Sequence, residues 1–192
     1  MRLVPLDPAH RDALLAAARD PEVGRYLLER PGTTIADTER RIARLLERQA
    51  NGSDLPFTIL QASDRRAVGM TGYLSIDRPN DAVEIGGTWL DRRFWRTPFN
   101  TEAKYLLLRH AFETEGAHRV FFKTDARNER SQRAIARIGA IREAVMREHI
   151  RLENGHYRSS VFYSLLAPEW PSVKAELETK LERPWSATPT PD

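Results

Sequence analysis

The stretch Trp89-Leu90-Asp91-Arg92-Arg93-Phe94-Trp95-Arg96-Thr97-Pro98-Phe99-Asn100-Thr101-Glu102-Ala103 decides how this chain is read. A strand-like run, Val83 to Leu90, enters a basic, aromatic loop. The loop delivers the chain into a helix with Ala103, Leu106, Leu107 and His110 on one face. Backbone N–H groups in the first turn of a helix have no partner inside it, and the aligned peptide dipoles add partial positive charge. Arg92, Arg93 and Arg96 add formal charge beside those donors, so the junction suits a phosphate or pyrophosphate. Asn100 or Thr101 is expected to cap the helix, with Glu102 in its first turn. Taken alone, the same residues also fit a solvated turn.

The next segment extends the pattern. His118 to Ala126 reads as a strand, and Asn128-Glu129-Arg130-Ser131 opens a helix with Ser131, Ala134, Ile135 and Ile138 at i, i+3, i+4, i+7, stopped by Gly139. Trp, a short loop, Asn-Thr-Glu-Ala, a long helix, a strand, Asn-x-x-Ser, a helix and Gly together resemble the GCN5-related N-acetyltransferases, in particular their ribosomal-protein-acetylating (RimJ/RimL-like) type. The resemblance runs from about Leu3 to Trp170. Arg142-Glu143-Ala144, the Asn154-Gly155 turn and Pro168-Glu169-Trp170 agree with it. It implies one mixed α/β (α+β) domain over residues 1–183: a twisted, mostly antiparallel sheet of six to seven strands with helices on both faces. The sheet is expected to split between the strand ending near Leu90 and the one beginning near Arg119.

Composition sets the limits. The chain has 192 residues, 41% hydrophobic and 30% charged, which suits a single soluble domain with a sizeable core. Cysteine is absent, which excludes disulfides, cysteine nucleophiles and thiolate metal sites. The histidines at 10, 110, 118, 149 and 156 have no metal-binding spacing, and no metal is expected. No apolar run reaches membrane-span length and no signal-peptide core is present, so a cytoplasmic location is expected. The net charge is +3, and nearly all of the positive charge is arginine, interleaved with glutamate in the helix after Thr34, which favours a solvated, ion-paired face over nucleic-acid binding.

Along the chain, Arg2–Leu6 is a strand and Ala9–Arg19 a helix broken by Asp20-Pro21. Val23–Leu28 is a short second helix, and an amphipathic helix runs to about Ala50. Pro56–Ala62, Ala67–Ile76 and Ala82–Leu90 form an antiparallel meander. Gly86-Gly87 marks a bulge that would splay the third strand from its next neighbour. Arg142–Leu152 and His156–Leu166 form a hairpin around Glu153-Asn154-Gly155, and Pro168 starts a terminal helix. Residues 184–192 are too poor in apolar side chains to pack and are expected to be disordered.

The resemblance further implies direct transfer of an acetyl group from acetyl-CoA to a primary amine, a protein N-terminus or a small-molecule amine, by a bacterial enzyme acting as a monomer or homodimer. It places the pantetheine against backbone groups of Trp89 and Leu90, and the pyrophosphate on Arg96, Thr97, Phe99, Asn100 and Thr101. The family's Gln/Arg-x-x-Gly-x-Gly/Ala pattern falls on Trp95, Pro98 and Asn100, so proline removes one donor and asparagine adds a side chain where close approach is wanted. Asn128 would contact the pantetheine amide or cap its helix. Glu84 is the candidate base, with an ion pair to an arginine across the sheet as the equal alternative. Ser131 is the candidate acid, since Ile135 stands where the family often carries tyrosine. Tyr26, Arg151 and His156 are candidates for the acceptor pocket. The alternative from another class is a binding or regulatory module that keeps the fold without catalysis.

Overall fold

The computed structural model describes residues 1–152 and 154–183, and every element below lies within them. Seven strands form one sheet in the order β1-β2-β3-β4-β5-β7-β6: β1 Arg2–Pro5, β2 Leu55–Leu60, β3 Ala67–Asp77, β4 Ala82–Leu90, β5 Arg119–Asp125, β6 Ile141–Arg151 and β7 Tyr157–Leu166. Only β4 and β5 run parallel; every other neighbouring pair is antiparallel. Six helices complete the fold: α1 Arg11–Ala17, α2 Pro21–Gly24, α3 Ile35–Ala50, α4 Phe99–Arg109, α5 Glu129–Arg137 and α6 Trp170–Glu182. The β2-β3-β4 meander and the β6-β7 hairpin agree with the sequence reading. The tail 184–192 and Glu153 lie outside the described residues.

Alternation along the strands sends side chains to two cores. On one face Val83, Ile85, Val120 and Phe122 pack with Leu107 and Leu108 of α4, Ile135 of α5 and Leu177 of α6. On the other, Leu60, Met70 and Trp89 pack with Leu14 and Ala17 of α1 and Ile42 and Leu45 of α3. Fully burying a side chain such as Phe122 or Leu108 contributes about 1.5–3 kcal/mol, which fixes the helices against the sheet.

Three local expectations are corrected. The second helix is Pro21–Gly24, not Val23–Leu28, because Asp20 accepts from the Glu22 amide at 2.9 Å and Pro21 takes the first helical position. Asp20-Pro21 is therefore a start as well as a stop. Helix α4 is entered through Pro98, with neither Asn100 nor Thr101 as its cap: Pro98 already has φ −62° and ψ −17°, so both residues lie inside the first turn. The inner stripe of α4 is Thr101, Ala103, Lys104, Leu107 and Leu108. His110 is exposed, 3.3 Å from Glu115, at the start of a π-helical turn in which Ala111 and Phe112 face the core instead.

Candidate active site

Strands β4 and β5 part company early. They pair only through Ala82–Arg119, Val83–Val120 and Glu84–Phe121. Beyond that point β5 continues along β7 to Asp125 while β4 continues along β3 to Leu90, so the facing edges diverge into a cleft. The cause lies in β4. Register runs from Met70–Trp89 to Gly72–Gly86, with Gly87 and Thr88 of β4 against Thr71 alone of β3, and Gly87 takes up the extra residue at φ +61°. Opposite the bulge, the hydroxyls of Thr71 and Thr88 lie 2.8 Å apart.

At one end of the cleft stands the loop between β4 and α4. Trp95 Nε1 donates to the Leu90 carbonyl at 2.9 Å, so that acceptor is already engaged. Thr97 Oγ1 donates to the Phe94 carbonyl at 2.7 Å and accepts weakly from the Phe99 amide at 3.4 Å. No side chain caps α4. The first intrahelical donor is the Glu102 amide, bonded to the Pro98 carbonyl at 2.8 Å, and among the described residues the amides of Asn100 and Thr101 have no acceptor. Proline at the cap position therefore removes a donor without closing the first turn, and the residues present still fit an anionic group.

The arginine cluster is less open than the sequence suggests. Arg92 pairs with Asp20 at 2.9 Å and Arg93 with Asp91, its Nε at 3.1 Å. Arg96 holds a left-handed backbone at φ +60°. A cation from the other wall joins them: the Arg130 guanidinium of α5 lies 3.4 Å from the centre of the Trp95 ring and bridges the two sides.

On the far wall, Asn128 caps α5, its Oδ1 accepting from the Ser131 amide at 3.1 Å. That leaves the Asn128 amide NH₂ and the Ser131 hydroxyl without protein partners among the described residues. Asp125 is buried and held by Arg127 at 2.7 and 2.9 Å. Burial pushes the Asp125 carboxyl up, but the Arg127 hydrogen bonds and charge win and hold it below the usual range. Arg158, also buried, donates to Ser160 at 2.9 Å and to the Tyr26 carbonyl at 3.4 Å, and Arg127 lies 5.9 Å from the Tyr26 ring. Tyr26 is thus tied to this wall.

Glu84 stands where the strands diverge. It is 2% exposed, points away from the Val83/Ile85 core, and meets Lys123 of β5 at 2.8 Å. Burial raises its carboxyl above the ordinary 4.5, and the Lys123 ammonium opposes that only in part. The cross-sheet ion pair expected as an alternative exists, with lysine where arginine was expected.

Glu84, Trp89 and Leu90 thus lie on β4 at and beyond the divergence, Arg96, Thr97, Phe99, Asn100 and Thr101 in the loop and first turn of α4, and Asn128 and Ser131 at the start of α5 after β5, with Tyr26 held by Arg158 and Arg127. Arg151 and His156 are exposed near the β6-β7 turn, and no contact joins them to Tyr26 among the described residues. Lys104, Lys123 and Arg130 carry no site signal in the sequence. A separate cavity of about 490 Å³, lined by α1 residues with Arg66, Asp91, Arg92 and Arg93, includes no residue of β5 or α5. Among the described residues no group of three His, Asp or Glu could hold a metal ion, and no helix is long and apolar enough to cross a membrane.

Comparison with known proteins gives a family and a fold. Residues 1–141 match the acetyltransferase (GNAT) domain. A Bacillus subtilis (strain 168) protein provisionally named ribosomal N-acetyltransferase YdaF is 29% identical over 176 residues, 91% of this chain and 94% of its own. A crystal structure from T. thermophilus, provisionally named an acetyltransferase, is 43% identical with a TM-score of 0.85, covering 94% of this chain and 93% of that one. Mycobacterium smegmatis RimJ in complex with CoA-disulfide shares the fold alone, at 19% identity and a TM-score of 0.80 over 96% of this chain and 90% of its own.

Proposed function

This chain belongs to the GNAT acetyltransferase family, and we propose that it moves an acetyl group from acetyl-CoA directly to a primary amine. The observation that carries the reading is the divergence of β4 and β5 beyond Glu84 beside an uncapped helix start. One feature supplies unpaired strand edge for an extended amide-bearing arm, and the other supplies amides for a pyrophosphate. When bound, acetyl-CoA supplies a thioester carbonyl open to attack by an amine.

The chain's own groups have distinct tasks in this reading. The Asn100 and Thr101 amides, with Arg96, Thr97 and Phe99 beside them, hold the pyrophosphate. Strand edge at Trp89 and Leu90 and the free NH₂ of Asn128 hold the arm. The Leu90 carbonyl is spent on Trp95, so Leu90 contributes through its N–H alone. Glu84 takes the amine's proton, its basicity raised by burial and moderated by Lys123. The Ser131 hydroxyl hydrogen-bonds the departing sulfur. Tyr26 borders the acceptor side. A protein N-terminus is the favoured acceptor because the YdaF relative, similar over nearly its whole length, is named for ribosomal acetylation; action in a bacterial cytoplasm follows from that reading.

Titration with acetyl-CoA and with desulfo-CoA, followed by tryptophan fluorescence, tests the cofactor, since Trp95 stands at the cleft. Saturable binding of both, weakened in Asn128→Ala, supports the reading. No binding of either overturns it.

A further inference from the structure

Helix α4 turns a lysine inward. Lys104 is 5% exposed, and its ammonium donates to Thr71 Oγ1 at 3.2 Å and to Thr88 Oγ1. The third N–H has no acceptor among the described residues. Among the described residues no carboxylate lies within ion-pairing distance, and Glu84 on β4 is the charged group whose field reaches it appreciably; Glu84 is itself tied to Lys123 and sensed by Arg158. Thr71 on β3 and Thr88 on β4 are neutral. Burial pushes the ammonium down to about 7.

Burying a cation without a counter-charge is costly, and an apolar chain of the same length would fill the space without that penalty. The lysine is not needed to satisfy its neighbours either. Thr71 and Thr88 can bond each other at 2.8 Å, and Thr88 can donate to the Gly86 carbonyl at 3.3 Å. What the lysine adds is charge, and its location is specific. Thr88 belongs to the bulged part of β4 that has left β5, and Lys104 lies one helical turn beyond the uncapped amides of Asn100 and Thr101.

We propose that Lys104 is a positioning residue for acyl transfer: bonded to Thr88, it fixes the bulged wall of the cleft and sets a positive charge behind it. The inference rests on the acetyl-CoA reading above. In that reaction the amine nitrogen bonds to the carbonyl carbon, the carbon–sulfur bond breaks with its electron pair leaving on sulfur, and the amine's proton passes to Glu84. Lys104 keeps its protons throughout. Its charge opposes the negative charge that grows on the carbonyl oxygen and then on sulfur.

The lysines of the chain are Lys104, Lys123, Lys174 and Lys180, so ¹³Cε-lysine labelling gives an NMR spectrum that single substitutions assign. The expected result is a Lys104 signal titrating near neutrality in the free protein, moved upward by about one unit or more when CoA thiolate binds, and unmoved by desulfo-CoA, which lacks the sulfur. CoA binding that leaves the Lys104 titration unchanged overturns this inference alone. Absence of CoA binding overturns the acyl-transfer reading and this inference with it. In turnover with an N-terminal serine peptide, Lys104→Met should lose about a hundredfold in kcat, the scale of misplacing the reacting groups by about 1 Å, with KM for acetyl-CoA little changed and partial rescue by Lys104→Arg. A Lys104→Met enzyme with unchanged kcat would make the lysine a filler.

Discussion

Replacing Gly87 with alanine isolates the backbone contribution to the bulge that opens the cleft. A Cβ built on Gly87 meets nothing nearer than Leu74 Cδ1 at 4.0 Å, so space is not the obstacle. The obstacle is its φ of +61°. The left-handed region costs a residue with a side chain roughly 1–2 kcal/mol. At about 2–4 °C per kcal/mol for a domain of this size, Tm should fall by about 2–8 °C. Gly52 provides the control: φ +77°, nothing within 4 Å, and a place in the turn after α3 far from β4 in the chain. Urea unfolding of Gly52→Ala and Gly87→Ala should therefore show similar losses at an unchanged m-value. The two should differ in ligand binding. If β4 relaxes its bulge to escape the strain, acetyl-CoA affinity falls by up to about tenfold, the equivalent of 1.4 kcal/mol, while Gly52→Ala binds normally. A Gly87→Ala protein with unaltered stability and affinity would refute the claim that this glycine holds the strands apart.

Three other predictions follow from the site. Glu84 has a raised carboxyl, so its contribution to stability is full below the ordinary value of 4.5 and is lost as pH rises through the folded value; Glu84→Gln should gain on the wild type over that rise in urea titrations, while acetyl transfer collapses. Lys104 has the opposite sign: depressed from 10.5 to about 7, its contribution is present above 10.5 and lost as pH falls through 7. Lys104→Met should therefore be flat in stability over the span from about 10 down to about 6 where the wild type declines. Asn128→Ala should lose about 1 kcal/mol with its cap, measured by thermal unfolding, whereas Ser131→Ala, whose hydroxyl bonds nothing among the described residues, should keep Tm and lose rate.

The fold was legible where local chemistry and tertiary demand coincide. The amphipathic period of α3 and the turns between β2, β3 and β4 stood in the sequence, and Gly86-Gly87 marked the bulge. The placement of Glu84, Asn128 and Ser131 was legible because strand alternation and helix-start position fix where those side chains point. Helix α4 departs from its sequence reading for a physical reason. A stripe chosen by hydrophobicity rejects Lys104 and accepts His110, yet Lys104 lies on the same face as Leu107 and Leu108, and what admits it is a pair of hydroxyls from β3 and β4 that no local pattern announces. Arg130 carried no signal either, because its stack on Trp95 joins residues from two separate strand–helix junctions. The pairing of Glu84 with Lys123 likewise depends on the β4-β5 register, which exists only in the assembled sheet.

Three ladder pairs are all that β4 and β5 share, so in backbone pairing the sheet is two half-sheets, β1 to β4 and β5 to β7, with a narrow weld between them. A molecule whose amides span the opening would act as a substitute strand and stitch the halves together. Such a ligand should behave as part of the folding unit: at a hundred times its Kd it adds about 2.7 kcal/mol to unfolding, and amide hydrogen exchange should slow on both sides of the seam at once. Melting temperature then becomes a way of screening for the natural acyl donor without knowing the acceptor.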